Sequence, residues 1–166
     1  NYNVCVGDEA GTAITTGDSN TLIGYLAGDA VTTVSYITAV GEKALSANTS
    51  GQKNTAVGRA ALQSITTVNN NTAVGYNCLS GGSNAASGNT GVGADVLSAN
   101  TSGANNTGVG LDVLKSNTTG HSNAAVGVNA LLLNTTGTQN TAFGMGSVTF
   151  NTTASNNTGV GYNALN

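Results

Sequence analysis

One glycine returns at a fixed interval through the whole chain, and no other feature constrains the fold as much. It closes a short apolar segment in each unit, at Gly7, Gly24, Gly41, Gly58, Gly75, Gly93, Gly110, Gly127, Gly144 and Gly161. Successive members are 17 residues apart, except between Gly75 and Gly93, where the step is 18. Well-formed units read NTAVGRAALQSITTVNN, NTGVGLDVLKSNTTGHS and NAAVGVNALLLNTTGTQ. A period this short leaves no room for a helical hairpin repeat but suits one turn of a solenoid. The expectation is one repeat domain over residues 1–166, about ten coils, with the first two (about 1–37) degenerate.

With the glycine as position 0, each column has its own chemistry. Position −1 is apolar throughout, and position −2 is Ala or Gly except for Cys5 and Leu22. Position +4 is Leu45, Leu62, Leu79, Leu97, Leu114, Leu131, Val148 and Leu165, with Gly11 and Gly28 in the first two units. Thr, small residue, Val, Gly alternates as a short strand with one buried face. Positions +4 to +8 read as a second strand, with Asn, Gly, Ser and Thr turns between the two. The predicted fold is therefore all-β, a parallel β-roll of about ten 17-residue coils stacked about 4.8 Å apart. Its predicted core is Val40, Val57, Val74, Val92, Val109, Val126 and Val160 together with Leu45, Leu62, Leu79, Leu97, Leu114 and Leu131.

Position −4 is Asn in nine of the ten units, Ile37 being the exception. Asn tolerates left-handed turn geometry, and its amide can bond to the copies above and below. Asn20, Asn54, Asn71, Asn89, Asn106, Asn123, Asn140 and Asn157 are thus expected to form a structural ladder. Each coil offers little apolar volume, and the small −2 column lets another surface approach closely. Both features point to self-association.

Composition narrows the chemistry. Charged residues are 7% of the chain, and the basic ones are only Lys43, Lys53, Arg59 and Lys115. With so few cations to neutralise phosphates, nucleic-acid binding is not expected. No apolar run reaches about 18 residues, so no membrane insertion is expected. The single histidine, His121, reads as a solvated turn residue without the partners of a catalytic pair. No cofactor, metal or enzymatic activity is expected. Asp95 and Asp112, both at +2 in adjacent coils, would stack as like charges and make at most a weak cation site. Cys5 and Cys78 are four coils apart, too far for an intrachain disulfide, and read as buried thiols.

Units such as NTAVG, NTGVG and AAVG, each followed by an Ala/Val-Leu pair, resemble the YadA-like head repeats of trimeric autotransporter adhesins. They are also similar to repeats in phage tail-fibre and bacterial surface fibre proteins. The resemblance covers Asn3 to Leu165 and implies a left-handed roll, three chains around an axis and an exposed binding head. It also implies surface glycans or a host receptor as partners, and an extracellular place on a cell or virion surface. The repeat here is longer than the usual adhesin head repeat, and no neck, stalk or anchor accompanies it. The chain starts and stops within a coil, so it reads as an excised or processed segment whose strand edges invite end-to-end pairing.

Two surface features complete the expectation. Sequons at Asn48, Asn100, Asn117, Asn134 and Asn151 share position +7, where glycans would form a stripe, unless Asn-Thr-Thr-Gly serves there simply as turn chemistry, the reading the composition favours. Thr pairs at +8 and +9, such as Thr118-Thr119 and Thr135-Thr136, resemble the Thr ladders of ice-binding solenoids, although those show a T-x-T spacing. The expected function is a non-enzymatic structural or adhesive fibre segment that self-associates as a trimer or filament, with ice binding as the alternative.

Overall fold

A computed structural model describes residues 2–81 and 86–166. Ten strands of three residues each occur among them. They are β1 (Val4–Val6), β2 (Thr21–Ile23), β3 (Thr38–Val40), β4 (Thr55–Val57), β5 (Thr72–Val74), β6 (Thr90–Val92), β7 (Thr107–Val109), β8 (Ala124–Val126), β9 (Thr141–Phe143) and β10 (Thr158–Val160). All pair in parallel and in chain order to make one sheet. The register repeats without slippage: Thr38 lies opposite Thr55, and Thr55 opposite Thr72. The step of 18 leaves the register intact, because Thr72 still lies opposite Thr90. The chain is a β-solenoid of about nine turns, on the order of 45 Å long at the usual strand spacing.

Each strand ends at the repeat glycine, for a steric reason. These glycines have φ between 125° and 138°, a region closed to side chains. They also stack on one another: a Cβ placed on Gly110 would stand 2.7 Å from the carbonyl oxygen of Gly127. Only a residue without a side chain makes this corner and still lets the next coil approach.

The second strand expected over +4 to +8 does not form. Among the described residues this segment is turn and bend. Backbone geometry explains the difference, since positions +2 and +4 are both left-handed. Asp95 and Leu97 have φ of 54° and 52°, and Asp112 and Leu114 have 56° and 52°. A left-handed non-glycine residue costs roughly 1–2 kcal/mol. Burying a leucine contributes about 1.5–3 kcal/mol, so the core packing offsets the strain. The turn stacks by hydrogen bonds as the sheet does, with Leu97 N donating to Val113 O at 3.0 Å and Leu114 N to Ala130 O at 3.1 Å.

The leucine column lies in the core as expected: Leu45, Leu62, Leu79, Leu97, Leu114 and Leu131 are at most 5% exposed. The valine column does not. Val74, Val92, Val109 and Val160 are exposed, and Val40, Val57 and Val126 are only half-buried. The buried strand residue is the one at −2, Leu22, Ala39, Ala56, Ala73, Ala125 and Ala142 among them. A 17-residue coil is narrow, and −2 faces the +3 and +4 residues across it. A Cβ on Gly108 would meet Val96 Cγ1 at 2.7 Å and Val113 Cγ1 at 3.2 Å. Only a small residue fits beside a leucine there, so valine takes the outer face.

The first coils keep this geometry with the sizes exchanged. Gly11 and Gly28 at +4 retain φ of 61° and 57°, while Leu22 supplies from −2 the apolar volume that +4 supplies elsewhere. Coils 1 and 2 are degenerate in sequence but regular in backbone.

Candidate functional site

The −4 asparagines form an internal ladder. Asn71, Asn106, Asn123 and Asn140 are buried. Each backbone N–H donates to the Oδ1 of the asparagine one coil before, as from Asn106 to Asn89 and from Asn123 to Asn106, both at 2.9 Å. Each Nδ2 turns back to a carbonyl of its own coil, as from Asn20 to Val34 O at 2.8 Å and from Asn123 to Gly137 O at 2.9 Å. The left-handed residue is not this asparagine but the one before it, such as Asn105 or Ser122. Asn54 and Asn157 belong to the same file, but Asn54 follows Ile37, which offers no Oδ1, and bonds through its Nδ2 to Val68 O, while Asn157 donates both its N–H and its Nδ2 to Asn140 Oδ1.

The +7 asparagines form a second internal ladder instead of a surface stripe. Asn48, Asn100, Asn117 and Asn134 are buried, and Asn151 is half-buried. Asn117 Nδ2 donates to Asn100 Oδ1 at 3.0 Å, Asn134 Nδ2 to Asn117 Oδ1 at 2.9 Å, and Asn151 Nδ2 to Asn134 Oδ1 at 3.0 Å. The expected glycan positions are thereby overturned, because the nitrogen that would carry the sugar is bonded inside the roll. The two ladders meet at one carbonyl: Gly120 O accepts from both Asn106 Nδ2 and Asn117 Nδ2. Where +7 is apolar, at Ile14, Val31 and Ile65, the −4 asparagine serves that carbonyl alone. The apolar members of this column were the sequence signal that it faces inward. In the 18-residue coil, Asn89 Nδ2 is buried with no hydrogen-bond partner among the described residues. It lies at a cavity of about 10 Å³ lined by Leu62, Ile65, Asn71, Leu79, Ala86, Asn89 and Asn100.

The titratable groups are dispersed. Cys78 is buried and Cys5 exposed, both as free thiols, so the expectation of two buried thiols holds for Cys78 alone. Burial pushes the Cys78 thiol up to about 12. Asp95 and Asp112 stack as expected, but Lys115 Nζ lies 2.9 Å from Asp112 Oδ1 and 3.8 Å from Asp95 Oδ2. The ammonium bridges the pair and offsets one of its two charges, and its hydrogen bond to Asp112 raises the Lys115 pKa. The backbone N–H of Tyr2 donates to Asp18 Oδ1 at 2.7 Å, and this bond leads the lowering of that carboxyl's pKa. His121 is exposed, with a ring nitrogen 3.4 Å from Ser122 Oγ. Among the described residues no three of His, Cys, Asp and Glu come together as metal ligands would.

Three kinds of column reach the surface. On the outer face of the sheet, threonine at −3 (Val4 in β1, Ala124 in β8) alternates with valine at −1 (Ile23 in β2, Phe143 in β9), in one continuous register. Beyond the glycine corner, position +1 carries exposed Tyr76, Leu111, Val128, Met145 and Tyr162, with half-buried Ala94, in the lower coils, but Asp8, Glu42 and Arg59 beside exposed Tyr25 in the upper ones. The +8 and +9 threonines behave differently from each other. The +8 hydroxyls are tied to the backbone, with Thr101 Oγ1 donating to Thr118 O and Thr135 Oγ1 to Thr152 O, both at 2.9 Å. The +9 residues stand exposed in single file beside the buried +10 column. The consecutive threonines therefore do not make one plane.

In comparison with known proteins, no family model, no curated protein and no solved structure matches the chain.

Proposed function

We propose that the chain is a segment of a non-enzymatic structural or adhesive fibre, a rigid rod that self-associates as a trimer or as an end-to-end filament on a cell or virion surface. The observation that carries this reading is the apolar +1 column of the lower coils, Tyr76, Leu111, Val128, Met145 and Tyr162, all exposed along one line of the rod. Contiguous exposed apolar surface on a folded protein marks a contact face. A second copy presents the same column at the same rung spacing, so two rods meet residue against residue over several coils.

Rigidity follows from the interior. Each coil is fastened to the next by backbone bonds in the sheet, backbone bonds in the turns and the asparagine amides, and bending the rod strains all three together. Adhesion, in this reading, falls to polar side chains repeated along the rod, with surface glycans or a host receptor as the partner. The test is the native mass by light scattering after size-exclusion chromatography at micromolar concentration. Three times 16.2 kDa supports the trimer, and a large polydisperse mass supports the filament. A clean monomer contradicts self-association.

A further inference from the structure

The outer face of the sheet is a regular net of small, stiff side chains. Thr21, Thr38, Thr55, Thr72, Thr90 and Thr107 lie directly over one another, and Thr141 and Thr158 continue the file after Ala124. Two residues along each strand stands the −1 column, Ile23, Val40, Val57 and their successors. The spacings of such a net are about 4.8 Å between rungs and about 6.6 Å along the strand. Threonine, valine and isoleucine are β-branched, which fixes their rotamers; the exceptions on this face are Ala124 at −3 and Phe143 at −1. Neither column contains a charged residue.

The hydroxyls on this face are also uncommitted. The described hydrogen bonds engage the +8 threonines at the backbone, but among the described residues none engages a −3 hydroxyl. A flat file of unbonded hydroxyls and methyls, repeated in two dimensions and free of charge, holds water in the same two-dimensional order. Its spacings lie close to the oxygen spacings on the faces of hexagonal ice. The +9 file has free hydroxyls too, but no second column beside it to make a plane.

The geometry points to the −3/−1 sheet face as a binding surface for ice, with the matched ligand being an ordered water layer and not a soluble molecule. This does not rest on the fibre reading, because it is argued from the −3 and −1 columns and not from the +1 column. The test is ice-recrystallisation inhibition and thermal hysteresis on a sample whose mass has been measured, with three proteins compared. These are the wild type, Thr107→Tyr in the middle of the face, and Thr119→Tyr on the +9 file, each checked by circular dichroism for an unchanged fold. The inference expects activity in the wild type, its loss in Thr107→Tyr and its retention in Thr119→Tyr. An inactive wild type overturns it, whatever the mass. Equal activity in all three overturns the assignment to this face, and binding to an insoluble polysaccharide without activity on ice overturns the choice of ligand.

Discussion

Leu22 fills the space that Gly28 leaves open: a Cβ placed on Gly28 would stand 2.8 Å from Leu22 Cδ2. From coil 3 onward the sizes are reversed, as with Ala39 and Leu45, both fully buried. Positions −2 and +4 thus share one volume, and only one of them can be large.

That sharing predicts strong coupling. Gly28→Leu overpacks the coil and costs about 1–3 kcal/mol. Leu22→Ala leaves a cavity and costs about 2–5 kcal/mol. The double variant rebuilds the arrangement of coil 3, so its loss should fall short of the sum by about 1–3 kcal/mol, within the range seen for residues in contact. Denaturant unfolding of all four proteins measures this. Additive losses would show that the two positions do not share a volume.

The second asparagine ladder makes a prediction about both stability and sugar. Asn117→Ala removes bonds to Asn100 and Gly120 and an acceptor for Asn134, at a cost of about 1–3 kcal/mol. Asn117→Val should cost less, because valine occupies this column at Val31 and Asn106 still serves Gly120 O. Expressed in a glycosylating host, the folded rod should carry no N-glycan on Asn48, Asn100, Asn117 or Asn134, as read by mass spectrometry of its glycopeptides. A stable folded protein with sugar on Asn117 or Asn134 would contradict the interior placement.

The two thiols should differ in reactivity. A thiol reagent is expected to label Cys5 in the native protein and Cys78 only after unfolding, since the thiolate is the reactive form. Cys78 also sets a pH dependence. Burial pushes this thiol up to about 12 in the folded protein, from an ordinary value of 9.0. Its contribution is therefore fully present below about pH 9 and lost as pH rises toward 12, by about 1.4 kcal/mol per unit. The difference between wild type and Cys78→Ala, followed by unfolding between pH 8 and about 11, isolates this contribution from the other groups. A difference independent of pH would contradict the burial of the thiol.

Gly110→Ala should be among the most damaging single substitutions. The residue has φ of 138° and stacks on the Gly127 backbone. Strain of about 1–3 kcal/mol adds to an overpacking cost of about 1–3 kcal/mol. Its effect should exceed that of Gly28→Ala, where the left-handed φ of 57° is one that leucine adopts elsewhere in the same column. Thermal unfolding of the two variants ranks them.

The repeat made the solenoid legible, because only a stacked coil accounts for one glycine every 17 residues and one Asn four residues before it. Which strand face is buried was not legible from hydrophobicity, since valine is more apolar than alanine. What decides is the room inside: Ala56 at −2 fits beside Leu62, and Val57 is left outside. The second strand failed for a conformational reason, because Leu-x-small-x-Thr alternates like a strand while Leu97 and Leu114 are left-handed. The +7 asparagines looked like turn residues beside Thr-Thr-Gly. Only the apolar Ile14, Val31 and Ile65 in the same column betray that this position faces the core. The Lys115 bridge between Asp95 and Asp112 depends on a long side chain reaching back three residues and one coil, which column spacing alone does not reveal.

The central structural claim is that the interior is closed by two files of asparagine amides, and side-chain hydrogen exchange followed by NMR tests it most directly. The Nδ2 protons of Asn106, Asn117, Asn123 and Asn134 are each bonded to a buried carbonyl. They are expected to persist in deuterated water as long as the backbone amides of the sheet, while those of exposed Asn105 and Asn156 exchange at once. Equally fast exchange of all six would place these side chains in solvent and contradict the account.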